Sequence, residues 1–160
     1  MAKEAKTNAM RMLERAKVAY TAHEYPHEEG QAVDGANVAR LTGQDPARVF
    51  KTLVTQGADR NYYVFVVPVL AELDLKKAAK AAGDKNMELV AVKELLGLTG
   101  YIRGGCSPVG MKKHYPTFID ETCTLWDEIA VSAGARGHQM IVPPQPLAEL
   151  VGAELTDIIV

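Results

Sequence analysis

Phe50-Lys51-Thr52-Leu53-Val54-Thr55-Gln56-Gly57-Ala58-Asp59-Arg60-Asn61-Tyr62-Tyr63-Val64-Phe65-Val66-Val67-Pro68 sets the architecture of this chain. Residues 50–55 and 62–68 are rich in β-branched and aromatic side chains, which pack well on a pleated surface. Between them, Gly57-Ala58-Asp59-Arg60-Asn61 gathers the residues that turns require. Two strands joined this closely form an antiparallel hairpin.

Moving outward, helices and strands interleave around this hairpin. Before it, Ala9, Met12, Leu13 and Ala16 recur at helical spacing within 6–17, with Thr7 or Asn8 as the N-cap. Residues 18–25 read as a strand stopped by Pro26. Asp34 starts a short helix through Leu41 that Gly43 closes, and Asp45-Pro46 caps a single helical turn. After the hairpin, Asp74 caps an alanine-rich helix ended by Gly83, followed by a short strand at 88–91 and a short helix at 92–96. Residues 97–110 hold five glycines and no helical period, which predicts a long loop of the kind that often carries function. Strands at 117–120, 129–132, 139–142 and 155–159 are expected, with a helical turn around Trp126 and a helix at 146–151. A turn at Gly134 and Gly137 joins the middle pair. The expected class is α/β in the mixed α+β sense, one domain over 1–160, with helices packed around a mixed sheet.

Composition bounds the function. The 160 residues are 48% hydrophobic and 24% charged, ordinary values for a globular chain, with no repeat or linker. A chain of this length buries roughly 70% of its unfolded surface. No apolar run nears the ~20 residues that span a bilayer, and the first residues show no secretory pattern. Two cysteines cannot make a disulfide framework, so a reduced, cytoplasmic setting is the economical reading. Eighteen basic against twenty acidic residues give a net charge of -2. That argues against gripping a long nucleic acid by phosphate neutralisation, though a site for one end of it remains open.

Several residues invite chemical readings. His23-Glu24-Tyr25-Pro26-His27 spells H-E-x-x-H, but zinc binding requires both histidines on one helical face. Pro26 opposes a helix there, so the segment reads as strand and turn. Cys106 and His114 form a nonspecific pair, and most cysteines are small buried hydrophobes. Lys76, Lys77 and Lys80 read as a solvated helix face, and Trp126 as core. More telling is Gly104-Gly105-Cys106-Ser107-Pro108-Val109-Gly110, which lacks a phosphate-loop signature yet lets backbone amides approach a ligand closely. Lys51 shares a strand face with Leu53 and Thr55; were that face to line a pocket, its ammonium would be a fixed cation.

Val49-Phe50-Lys51-Thr52-Leu53, Leu73-Asp74-Leu75-Lys76-Lys77, Gly100-Tyr101 and the loop 104–110 together resemble the YbaK family. Thr117-Phe118-Ile119-Asp120 and Val131-Ser132-Ala133-Gly134-Ala135-Arg136-Gly137 extend the likeness over nearly the whole chain. These are free-standing aminoacyl-tRNA deacylases related to the editing domain of bacterial prolyl-tRNA synthetases. The resemblance implies a mixed, largely antiparallel sheet, partly barrel-like, with surrounding helices. It implies clearing of mischarged tRNA at its 3′ acceptor end, chiefly cysteinyl-tRNA(Pro), without metal or other cofactor and beside prolyl-tRNA synthetase.

By resemblance, Lys51 matches the essential lysine, and Gly104, Gly105, Cys106, Ser107 and Pro108 match a G-x-x-x-P loop. Tyr20 falls at an aromatic position that helps close the pocket, and Ser132 at the serine before the last hairpin. Gln139 stands where some members carry aspartate, seven residues on, and glutamine cannot hold negative charge. Position 106 is not reserved for cysteine in that pattern. No Ser-His-Asp or metal arrangement is evident, but an aminoacyl ester is already activated, so positioning and carbonyl polarisation suffice. In the resembling enzymes the substrate cysteine's thiol attacks its own carbonyl and leaves as a thiolactone. The rival readings are a non-catalytic module that binds aminoacyl ligands and a thiol enzyme built on Cys106.

Overall fold

In the computed structural model, which describes residues 6–27 and 33–160, the expected hairpin is the spine of the larger sheet. The helices are α1 (Asn8–Arg15), α2 (Gly35–Leu41), α3 (Leu75–Ala82), α4 (Val92–Thr99) and α5 (Pro144–Val151). Strands β1 (Thr21–Glu24), β2 (Phe50–Gly57), β3 (Tyr62–Pro68) and β4 (Met87–Leu89) precede β5 (Thr117–Asp120), β6 (Ile129–Ser132), β7 (His138–Val142) and β8 (Glu154–Thr156). The larger sheet runs β4-β2-β3-β5-β8, antiparallel from β4 to β3 and parallel from β3 to β8. A smaller antiparallel sheet runs β1-β7-β6. The sheets meet at a parallel bridge between Val49 and Ala130 and, among the described residues, do not close into a full barrel.

The alternation of β3 explains why the hairpin dominates. Val64 and Val66 face one apolar cluster with Phe50, Val54, Val131 and Met140. Tyr63, Phe65 and Val67 face another beneath α3, where Phe65 stacks on Phe118 with centroids 5.2 Å apart. Being buried on both faces, β3 reads as a continuous apolar run, as central strands do.

Most boundaries shift by a few residues for identifiable reasons. The first strand shortens to Thr21–Glu24, although Tyr25 still donates its amide to Gly137 O at 2.9 Å. α2 ends at Leu41 as expected: left-handed Gly43 closes it, with Gly43 N donating to Arg40 O at 3.3 Å and Gln44 N to Ala39 O at 2.9 Å. α4 runs on through Gly97 to Thr99 and ends at left-handed Gly100, so the glycine-rich loop begins later than expected. α5 starts earlier, at Pro144, where proline fits the first helical turn. The turn near Trp126 is the 3-10 segment Glu121–Leu125, and the final strand is confined to 154–156. No described helix is long and apolar enough to cross a membrane.

Candidate active site

β2 delivers Lys51 to a cavity of about 110 Å³ at the junction of the two sheets. Lys51 Nζ donates to Val69 O at 3.4 Å, which draws the half-buried side chain back over the strand end. The condition set from the strand pattern is not what places it there. Leu53 packs into the cluster beneath α3, whereas Lys51 and its neighbour Thr52 both line the cavity, which wraps around the start of β2.

The glycine-rich loop forms a second wall through Gly104 and Cys106. It is pinned at both ends: Arg136 Nε donates to Arg103 O at 2.8 Å, and the Tyr101 hydroxyl donates to Val109 O at 2.6 Å. Gly104 takes φ +86°, a left-handed conformation that favours glycine. At Gly105 a Cβ would come within 3.0 Å of the Arg136 amide nitrogen, so only glycine lets the loop lie against the 133–137 turn. The Gly105 amide is committed to Ile102 O at 2.9 Å. Among the described residues, the amides of Gly104, Cys106 and Ser107 have no acceptor. That leaves donors free along the segment that borders the cavity.

The smaller sheet supplies the third wall. Ser132 and Gln139 are paired directly across β6 and β7, and both line the cavity. Ser132 Oγ accepts from Gly134 N at 3.1 Å, fixing its hydroxyl beside the turn. Gln139 is only 3% exposed.

Lys51, Gly104, Cys106, Ser132 and Gln139 therefore meet in one place. Gly105 lies behind the wall as a spacer. Ser107 is buried, its Oγ accepting from Val109 N at 3.1 Å, and Pro108 borders a different cavity. Tyr20 is not brought to the site: its hydroxyl donates to Glu14 Oε2 at 3.2 Å, beside α1. The aromatic residues that line the cavity are Phe50 and Tyr25, the latter buried, with its phenol pushed up by that burial. Sequence reasoning passed over Tyr25, Thr52 and Val69; the proline after Tyr25, which ends the strand beside the site, was the available signal for the first.

Cys106 and His114 do not meet, since His114 borders the other cavity with Pro108. Burial pushes the Cys106 thiol up to about 12, so it stays protonated and a poor nucleophile at neutral pH. Lys77 is tied to Asp157 at 2.9 Å and Ile159 O at 2.8 Å, a structural tether and not a free cation. His23 and Glu24 lie on β1, and among the described residues no three His, Cys, Asp or Glu side chains gather as a metal cluster would.

The model of the aminoacyl-tRNA editing domain family matches residues 28–150, a span that includes every described lining residue of this cavity except Tyr25. The chain belongs to that family. It is 45% identical over 153 residues to an Enterococcus faecalis protein named "Putative Cys-tRNA(Pro)/Cys-tRNA(Cys) deacylase EbsC", covering 96% of this chain and 93% of that one. A solved structure described as "Crystal structure of a putative trans-editing enzyme for prolyl tRNA synthetase" superposes with TM-score 0.80 at 24% identity, over 98% of this chain and 99% of that one. A second, from work on "Epitope backbone grafting by computational design", superposes with TM-score 0.82 at 25% identity, over 95% and 94%. The mixed-sheet fold expected from the sequence is the fold these structures share.

Proposed function

We propose that this chain acts in trans on mischarged aminoacyl-tRNA, releasing the amino acid from cysteinyl-tRNA(Pro) above other substrates. Residues 1–160 act as one editing unit in this reading, in the cytoplasm, where charged tRNA is made. The observation that carries it is the convergence of Lys51 with Gly104 and Cys106 on one small cavity. A lysine facing free main-chain amides suits an ester carbonyl flanked by the phosphate of a terminal nucleotide.

Among the described residues, the side chains lining the cavity include no carboxylate and no imidazole, and in this reading the attacking group is drawn from the substrate. The cysteinyl sulfur attacks the aminoacyl carbonyl carbon. A carbon–sulfur bond forms, the ester carbon–oxygen bond breaks, and the thiol proton ends on the ribose oxygen of the released tRNA. The product is a cysteine thiolactone. Free amides at Gly104 and Cys106 hold the developing oxyanion, and Lys51 orients the carbonyl or the terminal adenosine's phosphate. This division of labour needs positioning and charge stabilisation, both available from fixed groups.

Prolyl-tRNA synthetase is the partner that would supply tRNA selection, since the chain's own charge is too balanced to read a long duplex. The test is multiple-turnover deacylation across a panel of mischarged tRNAs with protein well below substrate. Release of many equivalents of thiolactone from cysteinyl-tRNA(Pro) is expected. Stoichiometric binding without turnover would instead make the chain a binding module.

A further inference from the structure

Gln139 is held by a relay that runs back to the end of α2. The Thr42 hydroxyl donates to Val38 O at 2.8 Å, so its oxygen is left to accept. It accepts from Gln44 Nε2 at 2.7 Å. The same nitrogen reaches Gln139 at 2.8 Å, and the atom it meets must be the acceptor, Oε1. The orientation of both amides thus follows from one threonine proton.

Gln139 Nε2 is left with no acceptor among the described residues. Gln139 Nε2 is not one of the described side-chain atoms that are fully buried without a partner, which are Gln44 Oε1, Arg48 Nε and Thr52 Oγ1. Gln139 lines the cavity and is 3% exposed, so the surface that remains to it is the cavity's. Thr52, whose hydroxyl is unpartnered, lines the same space.

We propose that Gln44 is a positioning residue that locks the Gln139 amide nitrogen toward the cavity, so that Gln139 donates to the side-chain heteroatom of the aminoacyl group. The site then selects a small side chain ending in a sulfur or oxygen acceptor over one ending in methyl. This rests on the deacylase reading and names what that site distinguishes.

The probes are 3′-cysteinylamino- and 3′-alanylamino-adenosine, in which an amide replaces the ester so that binding is read without turnover. Calorimetry on the wild-type protein should show the cysteinyl probe binding about tenfold more tightly, the order expected of one well-placed hydrogen bond. Gln44→Glu is nearly isosteric but can only accept, so Gln139 must turn over and present oxygen to the cavity. The ratio should fall to near unity in this variant, whereas added charge alone would move both probes together. Gln44→Met, which cannot hold Gln139 at all, should also reduce the ratio and serves if the glutamate variant does not fold.

A wild-type protein without the ratio, or variants that keep it, would overturn the assignment. If wild type shows the ratio and the variants lose it while cysteinyl-tRNA is never turned over, the assignment stands and the deacylase reading fails. If turnover is brisk and the ratio ignores Gln44, the reverse holds.

Discussion

Cys106 and Lys51 face the same space with opposite chemical prospects. Burial raises the thiol to about 12 and keeps it neutral, while the lysine donates its Nζ to the carbonyl of Val69. Cys106→Ala should therefore deacylate cysteinyl-tRNA within about threefold of wild type, because no step in the account passes through that sulfur. Its pH–rate profile should also match wild type between about pH 6 and 9, with no inflection lost. Single residues with unusual chemistry were the readable part of the site: a lysine starting a strand, a run of glycines, a glutamine where aspartate was an alternative. Gln44 was not readable, and Tyr25 was marked only by the proline that follows it. Their roles depend on contacts formed only when α2 folds over β7 and β1 pairs with it, and Gln44 is 95 residues from the partner that gives it meaning.

The hairpin and the capped helix α3 were legible because their signals are local. At the turn, Tyr63 donates to Asp59 Oδ2 at 2.7 Å, and the Asn61 amide donates to Asp59 Oδ1 at 2.9 Å. The Tyr63 hydrogen bond foremost holds the Asp59 carboxyl down at about 2. A depressed acid contributes stability above its unfolded value and loses it as pH falls through the folded one. Asp59→Asn should consequently flatten the acid side of the stability curve between pH 3.8 and about 2, measured by urea unfolding across that range. At α3, Asp74 accepts from the amides of Lys76 at 3.0 Å and Lys77 at 3.1 Å. Asp74→Ala should cost about 1 kcal/mol in the same assay, the usual value of a helix N-cap. Boundaries at α4 and α5 were less legible, since a tolerated Gly97 and paired prolines shifted one end of each by a turn or less.

The cavity belongs to the whole molecule. Lys51 comes from the larger sheet, Ser132 and Gln139 from the smaller one, and the glycine-rich loop is pinned across to the turn between β6 and β7. Sequence order could suggest that these residues cooperate, but the meeting of two separate sheets at Val49 and Ala130 is a product of global packing. With a net charge of -2, the isolated protein should discriminate poorly between tRNA bodies bearing the same amino acid and show a shallow salt dependence. Competition with uncharged tRNAs across salt concentrations checks this; strong selectivity for tRNA(Pro) by the protein alone would contradict it. The claim on which the rest stands is that Lys51 and the loop amides act together on an aminoacyl ester, and it is tested most directly by the turnover of cysteinyl-tRNA(Pro) by Lys51→Ala. The account predicts a rate at least about 100-fold below wild type, with far-ultraviolet circular dichroism and melting temperature preserved. A folded Lys51→Ala protein that clears the substrate at the wild-type rate would contradict it.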